Sequence, residues 1–318
     1  MSTCKHANAI IDGKTEDELR LHYAHPREFP MRLKLARWIG RQRWFPRGQN
    51  RLMRLLVPPG DCPHYAFEVD FFGQRYQGDL ASYIDWMVCC YGAYAMPELT
   101  LLRECIRWLR KTQHNRVIAL DVGANVGHHT LFMAPLVDEV FSFEPYPPLQ
   151  DAIRNRISLN RLTNVTLVPV GLGEADSVLD FYPGTGRNLG VGSFLPEMEK
   201  QHGEPTKLRI RCGDQFLDES AVGPISILKI DVQGFEPLVL RGLQKRIHKD
   251  RPIILTELTE ESRRGFGSQR AFFASLYPGA RIAEVSGRNG RRFRLTPFVY
   301  ERAAEVLVFP PEMEEWVS

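Results

Sequence analysis

The stretch 117-VIALDVGANVGHHTLFMAP-135 decides how the chain is read. Mostly apolar residues run into Asp121, a turn of glycines and Asn125 follows, and a second apolar segment begins beyond it. Strand, tight turn and helix in that order open a doubly wound sheet. There, ligands lie past the C-terminal ends of the strands, where strand order reverses. Gly123 and Gly127 let the backbone turn sharply and come close to a ligand. The turn is not the G-x-G-x-x-G of dinucleotide enzymes. Asn125 holds the place of the second fingerprint glycine and His128 that of the third. A pyrophosphate needs close main-chain approach at both places.

S-adenosylmethionine carries no phosphate. An Asp at the strand end and a polar turn suit its zwitterionic methionine end better than they suit a pyrophosphate. The next apolar run ends in 141-FSFEP-145. Glu144 stands where an acid about 20 residues on accepts hydrogen bonds from a ribose diol. NAD has such a diol too, so the turn, and not Glu144, separates the two cofactors.

Outward from this stretch, strand and helix patterns alternate. Strands are expected at 117–121, 139–144, 165–170, 225–231 and 253–257, with helices at 130–134, 149–160, 237–247 and 268–276 between and after them. This predicts an α/β, Rossmann-like, doubly wound and mostly parallel sheet. The tail changes character: 281–285, 292–296 and 305–309 read as strands around the turn 286-SGRNG-290, an antiparallel C-terminal hairpin. Upstream lies an N-terminal extension. The expected division is residues 1–95 for the extension and 96–318 for the catalytic domain.

The chain has 318 residues, 43% hydrophobic and 25% charged, the proportions of a soluble globular protein. A net charge of +3 is too small to argue for nucleic acid. No apolar run is long enough for a membrane span, and the first 20 residues lack the apolar centre of a secretory signal. The expectation is a cytoplasmic protein with its six cysteines reduced. No CxxC pair or compact His/acid cluster demands a metal, so none is expected. From Met31 to Gly60 there is no acidic residue, while Arg32, Lys34, Arg37, Arg41, Arg43, Arg47, Arg51 and Arg54 interleave with Leu33, Leu35, Trp38, Ile39, Trp44 and Phe45. Segment 32–54 reads either as a basic amphipathic surface for weak contact with anionic lipid or a polyanion, or as a packed helix with solvated arginines.

DVGANVGHHT, FEP, LNRLTNV and LKIDVQGFE followed by VLRG, in this order, resemble the FkbM family of class I S-adenosylmethionine-dependent methyltransferases. The resemblance runs from about residue 66 to 260. The family commonly has a Glu after the Tyr matched by Tyr94, where this chain has Ala95. The resemblance implies O-methylation of a hydroxyl on a sugar, glycolipid or natural product, with S-adenosylmethionine as cofactor. It assigns Asp121, Gly123, Asn125 and Gly127 to the first cofactor motif, Glu144 to the ribose, and Asp231 and Gly234 to the motif after the fourth strand.

Methyl transfer from a sulfonium to an alcohol needs alignment and a proton acceptor. Asp231, ending ILKID, and Glu257, ending IILTE, are the candidate bases, because both fall at strand ends beside the expected methyl site. Asp231 reads equally as a structural acid that ties down the 232–234 turn, and Glu257 as a solvated strand-end acid. Glu236 reads as charge stabilisation of a helix start. His128 and His129 are neighbours on a helix and are expected to point apart. The loop 184-GTGRNLGVGSF-194 reads as a lid or as plain surface, and Tyr182 and Arg187 are candidates for the acceptor site. The alternatives are a nucleotide-dependent oxidoreductase, a non-catalytic cofactor-binding scaffold, and nitrogen methylation, which the absence of an N/D-PPY sequence after ILKI disfavours. Oligomeric state is not readable.

Overall fold

The computed structural model describes residues 29–42, 48–58, 64–113, 115–183, 192, 194, 204–288, 292–300 and 302–317. Arg43, Trp44, Phe45, Arg47, Arg187, most of the 184–194 loop and the end of the 286–290 turn lie outside them. The chain divides into two compact units, Met1–Tyr94 and Ala95–Ser318.

In the first unit, the basic segment forms helices α1 (Met31–Arg41) and α2 (Gln49–Leu56). α1 buries Leu33, Ala36, Ile39 and Gly40, one face at helical spacing. Strands β1 (Ala66–Phe71) and β2 (Gln74–Asp79) form a hairpin, followed by α3 (Tyr83–Tyr91). Phe72 and Gly73 turn that hairpin with φ of 54° and 87°, the two positive angles a two-residue type I′ connection demands. Ser82 caps α3 by accepting from the Asp85 N–H. α1 and α3 cross closely because Gly40 has no side chain: a Cβ there would lie 2.4 Å from the Cys90 carbonyl oxygen.

The second unit opens with α4 (Met96–Thr112), started by Pro97 in its first turn. It then runs β3 (Ile118–Val122), α5 (His128–Met133), β4 (Glu139–Phe143), α6 (Pro147–Asn160) and β5 (Val165–Val168). The later strands of the main sheet are β9 (Ile227–Ile230), β10 (Ile253–Leu258), β11 (Arg281–Arg288), β12 (Arg292–Pro297) and β13 (Ala304–Phe309). Their order is β12-β11-β13-β10-β9-β3-β4-β5, with β3, β4, β5, β9 and β10 parallel. The chain moves from β3 outward through β4 to β5, then restarts at β9 on the other side of β3. The crevice of a doubly wound sheet therefore opens between the ends of β3 and β9. Buried Leu120, Leu228, Ile254 and Val306, from four adjacent strands, belong to the core.

The antiparallel ending is present, and β13 does more than close it: it runs between β10 and β11, antiparallel to both. One sequence expectation is corrected, and two features without a sequence expectation appear. The helix expected at 237–247 is two, α8 (Glu236–Gly242) and α9 (Gln244–Asp250), after α7 (Gly213–Glu219). The break has two causes. Gly242 lies against the main chain of Gly173, where a Cβ would come within 1.8 Å of its carbonyl oxygen. Asp214 accepts from the N–H groups of Lys245 and Arg246, both at 2.9 Å, which starts the second helix afresh. Strands β6 (Gly171–Gly173), β7 (Ser177–Phe181) and β8 (Thr206–Cys212) form a separate small sheet ordered β6-β8-β7. Helix α10 (Glu260–Phe266) precedes α11 (Gln269–Ser275), held by a capping box between Thr259 and Ser262. Its sequence EESRRGF buries only Ser262 and Phe266, too few apolar positions for a helical period.

Gly123 has φ of 77°, and a Cβ on it would fall 2.0 Å from the Asp231 carbonyl oxygen, backbone that cannot swing aside. Gly127 has φ of 79°, but its Cβ would meet only Ile153 Cγ1, at 2.9 Å. Chemical denaturation is therefore expected to show Gly123→Ala destabilised by about 2–4 kcal/mol and Gly127→Ala by about 1–2 kcal/mol. Equal losses would mean that the ends of β3 and β9 are not in contact.

Candidate functional site

The turn after β3 consumes its own donors. Gly123 and Ala124 both donate their N–H to the Phe143 carbonyl at 3.0 Å, and Gly127 donates to Ala124 at 2.8 Å. The Asn125 N–H goes to Glu144 Oε2 and the Val126 N–H to the Asn125 side chain, each at 2.8 Å. Asn125 can do this because it sits at φ of 55°, a conformation its short polar side chain tolerates. Buried Arg156 holds the Val126 carbonyl. All five N–H groups from Gly123 to Gly127 are thus donated within the protein, whereas a pyrophosphate site directs such groups at the ligand.

Behind the turn lies a buried charged knot. Asp121 is fully buried at the end of β3 and accepts from Thr130 Oγ1 at 2.6 Å, and Thr130 also meets the Ser142 hydroxyl at 2.9 Å. Lys229, in register with Asp121 on the neighbouring strand, places Nζ 3.3 Å from Asp121 Oδ1 and 3.7 Å from Asp231 Oδ2. It also donates to the Gly123 carbonyl at 3.3 Å. Burial alone would lower the Lys229 pKa, but Asp121, Asp231 and Glu98 outweigh it and hold the ammonium above its ordinary value.

Asp231 sits one residue past β9. Gln233 Nε2 donates to its Oδ1 at 2.9 Å. Gln233 and Gly234 take positive φ, 51° and 101°, so the chain folds straight back. Glu236 secures this turn by accepting from the N–H groups of Val232 and Gly234. It is completely buried, and burial pushes its pKa up to about 7. Its role is thus more specific than charge at a helix start.

Glu257, on β10, lies directly opposite Glu305 on β13. Paired residues on antiparallel strands share a face, so two carboxylates are held side by side. Glu257 is half-buried, not a solvated strand end. Burial, followed by Asp231 and Glu98, raises its pKa. Burial, then Glu98, Asp231 and Glu257, raises Glu305 further. Glu98, in the first turn of α4, also stands 3.4 Å from His129 Nε2. His128 and His129 are both buried, and their rings touch, with centroids 4.0 Å apart, contrary to the expectation that they point apart. Burial, then the neighbouring His129, keeps His128 neutral.

In front of the turn is an open cleft. Gly123, Asn125, Glu144 and Asp231 line it, with Phe181, Phe194 and Phe235 forming an aromatic side. Neighbouring rings along Tyr146, Phe181, Phe194 and Phe235 lie 5.1 to 5.3 Å apart. Glu144 accepts one main-chain N–H on each oxygen, from Asn125 and from Tyr146. Each oxygen keeps a further lone pair, so the carboxylate can still accept from a diol.

Of the residues singled out from sequence, Gly123, Asn125, Glu144 and Asp231 thus meet at one cleft. Asp121 stands behind it, Gly127 packs on Ile153, and Glu257 belongs to the acidic row beside Asp231. Lys229, Glu98, Glu305 and the phenylalanines were not read as site residues. Lysine in the middle of an apolar strand was the one available signal. Among the described residues no group of three or more His, Cys, Asp or Glu is arranged to hold a metal. Nor is any helix long and apolar enough to cross a membrane.

The family described as the methyltransferase FkbM domain matches residues 121–281, about half of the chain, and the chain belongs to that family. Its sequence is 27% identical over 143 residues to the hexuronic acid methyltransferase AglP of Haloferax volcanii, covering 44% of this chain and 56% of that one. It is 28% identical over 177 residues to the AMB antimetabolite synthetase AmbE of Pseudomonas aeruginosa, covering 43% of this chain and 8% of that one. The matched part thus spans about half of the first relative's length and a small part of the second's. Among solved structures, the FkbM methyltransferase of Methylobacillus flagellatus is similar with a TM-score of 0.41 and 16% identity, over 71% of this chain and 53% of that one. The S-adenosylmethionine-dependent methyltransferase of Agrobacterium tumefaciens has a TM-score of 0.43 and 10% identity, over 80% of this chain and 72% of that one.

Burial, opposed by the N–H groups of Tyr146 and Asn125, raises Glu144 from 4.5 to about 7. Between those values the folded protein keeps a proton that the unfolded chain has lost. The contribution to stability is complete below pH 4.5 and is lost as pH rises to about 7, some ~3 kcal/mol in all. Glu144→Gln does not titrate. Its stability relative to the parent protein is therefore expected to improve across that window, measured by urea unfolding at several pH values. A pH-independent difference would show that Glu144 is not desolvated.

Proposed function

We propose that this protein transfers a methyl group from S-adenosylmethionine to a hydroxyl oxygen, most simply of a carbohydrate or a glycosylated product. The observation that carries this reading is the acidic row of Asp231, Glu257 and Glu305 beside a cleft whose turn has no main-chain donors left for a phosphate. S-adenosylmethionine, when bound, supplies a methyl group made electrophilic by the sulfonium. The residues fit it: Glu144 has the acceptor capacity for the ribose diol, Gly123 and Asn125 give close backbone approach, and the phenylalanines offer a flat apolar side for the purine. Asp121 acts indirectly, through Lys229 and the Gly123 carbonyl, to fix the shape of the turn.

The acceptor hydroxyl is a weak nucleophile and gains from a carboxylate that takes its proton as the new bond forms. Glu257 is the best candidate for that base, because burial and its acidic neighbours make it a stronger proton acceptor than an exposed glutamate. Asp231, nearer Lys229, serves as the alternative base or orients the hydroxyl. Glu305 positions Glu257 across the strand pair and modulates its proton affinity. Similarity to a hexuronic acid methyltransferase supports a carbohydrate acceptor. An oxidoreductase reading is weakened by the turn, which directs its N–H groups inward. A scaffold without catalysis predicts cofactor binding and no turnover on any acceptor. Nitrogen methylation draws on the same acidic row, which would attract an amine, but the chain after β9 reads DVQG and offers no N/D-PPY sequence.

Calorimetry is expected to show binding of S-adenosylmethionine and S-adenosylhomocysteine and none of NADPH; nicotinamide binding alone would replace this reading. In a screen of hydroxylated glycans and amines with labelled cofactor, Glu257→Gln is expected to lower kcat by about 10²–10³ with cofactor affinity unchanged. Activity of the parent protein should fall as pH drops and Glu257, its affinity for a proton raised by burial, protonates. Near-parental turnover in both Glu257→Gln and Asp231→Asn would remove the row from the chemistry.

A further inference from the structure

The first unit carries a surface that its own packing does not use. Helix α1 already spends Leu33, Ala36, Ile39 and Gly40 on its inner face. Its outer face shows Met31, Leu35 and Trp38 to solvent, at 79, 46 and 55% exposure. The spacing i, i+4, i+7 places these three side chains in one stripe along the helix. Lys34 and Arg41, both exposed, run along one side of that stripe. On α2, Leu55 is 72% exposed beside exposed Arg51 and Arg54. From Met31 to Gly60 the sequence has no acid, and Asp70 is within electrostatic reach of Arg41.

We propose that this outer face docks on an anionic lipid surface, with Met31, Leu35 and Trp38 entering the headgroup boundary and the basic side chains meeting lipid phosphates and carboxylates. The two halves of the surface need each other to be explained. A helix lying in a membrane interface presents an apolar stripe a few ångströms deep, with Trp at the polar boundary and Lys and Arg beside it. Anionic headgroups add attraction for each nearby cation. An RNA would satisfy the cations but leave Met31 and Leu35 without a role. A second copy of the chain, meeting this face with the same face, would set Lys34 and Arg41 near the partner's equivalents, cation against cation. The inference stands on this surface alone and does not depend on the methyl-transfer reading.

The test is co-sedimentation of the full chain with vesicles of phosphatidylcholine alone and with roughly 30% phosphatidylserine. At low salt the expected result is at least tenfold stronger partition to the anionic vesicles, falling about tenfold in about 0.5 M salt. The double variant Leu35→Ser, Trp38→Ser is expected to lose at least tenfold while keeping its melting temperature, because both side chains lie outside the packed face. Lys34→Glu with Arg41→Glu, tested separately, should lose the preference for anionic lipid. No binding, equal binding to both vesicle types, or binding untouched by either variant would each overturn the proposal. So would light scattering that shows a dimer dissolved by the Leu35→Ser, Trp38→Ser change, or RNA binding that both variants abolish without vesicle binding in the parent.

Discussion

One buried cation organises the second unit. Lys229 is 3% exposed at the centre of a sheet, where an unpaired ammonium would lose its charge or unfold its surroundings. It is kept by Asp121 on the neighbouring strand, Asp231 past its own strand and the Gly123 carbonyl in the turn between. Losing one partner of such a pair typically costs about 3–5 kcal/mol, because the other stays buried and uncompensated. The pair therefore does not simply add stability. It makes one relative placement of β3, β9 and their turns much better than its neighbours, and that placement forms the crevice.

The shape of the turn follows from this constraint and from Glu144. With the end of β3 fixed against β9, Gly123 must pass the Asp231 carbonyl without a Cβ. The next residues then fold so that their N–H groups meet the Phe143 carbonyl, the Asn125 side chain and Glu144. A carboxylate in this position does two things at once. It satisfies main-chain donors that the tight turn would otherwise bury, and it replaces the positive field of open N–H groups with an acceptor. The same fold position that holds an anion in dinucleotide proteins is here suited to hydroxyl donors.

The sequence made legible what depends on local pattern. Asp121, Gly123, Asn125 and Glu144 were found because strand ends and glycine turns leave marks a few residues long, and the parallel order followed from alternating strands and helices. Lys229, Glu98 and Glu305 were not found, because their meaning comes from register. Glu98 enters from a helix upstream of β3, and Glu305 arrives only because the last strand runs back between β10 and β11. The small β6-β8-β7 sheet was missed for a related reason: its strands are short, and the partner of Gly171–Gly173 lies almost forty residues on. The split between α8 and α9 depends on Asp214, a cap supplied from another element and therefore invisible to helical periodicity.

The register of β13 also settles how the acidic row can exist. Glu98, Asp121, Asp231, Glu257 and Glu305 share a neighbourhood with Lys229, their one buried cation among the described residues. Asp121 and Asp231 lie nearest the ammonium and take most of its field, while Glu257 and Glu305 face each other across a strand pair and are both pushed toward the protonated form. Burial and acidic neighbours thus make each of them a stronger proton acceptor than an exposed glutamate. Glu305 lies outside the 121–281 family match, so the strand that faces Glu257 with a second carboxylate comes from beyond the matched region.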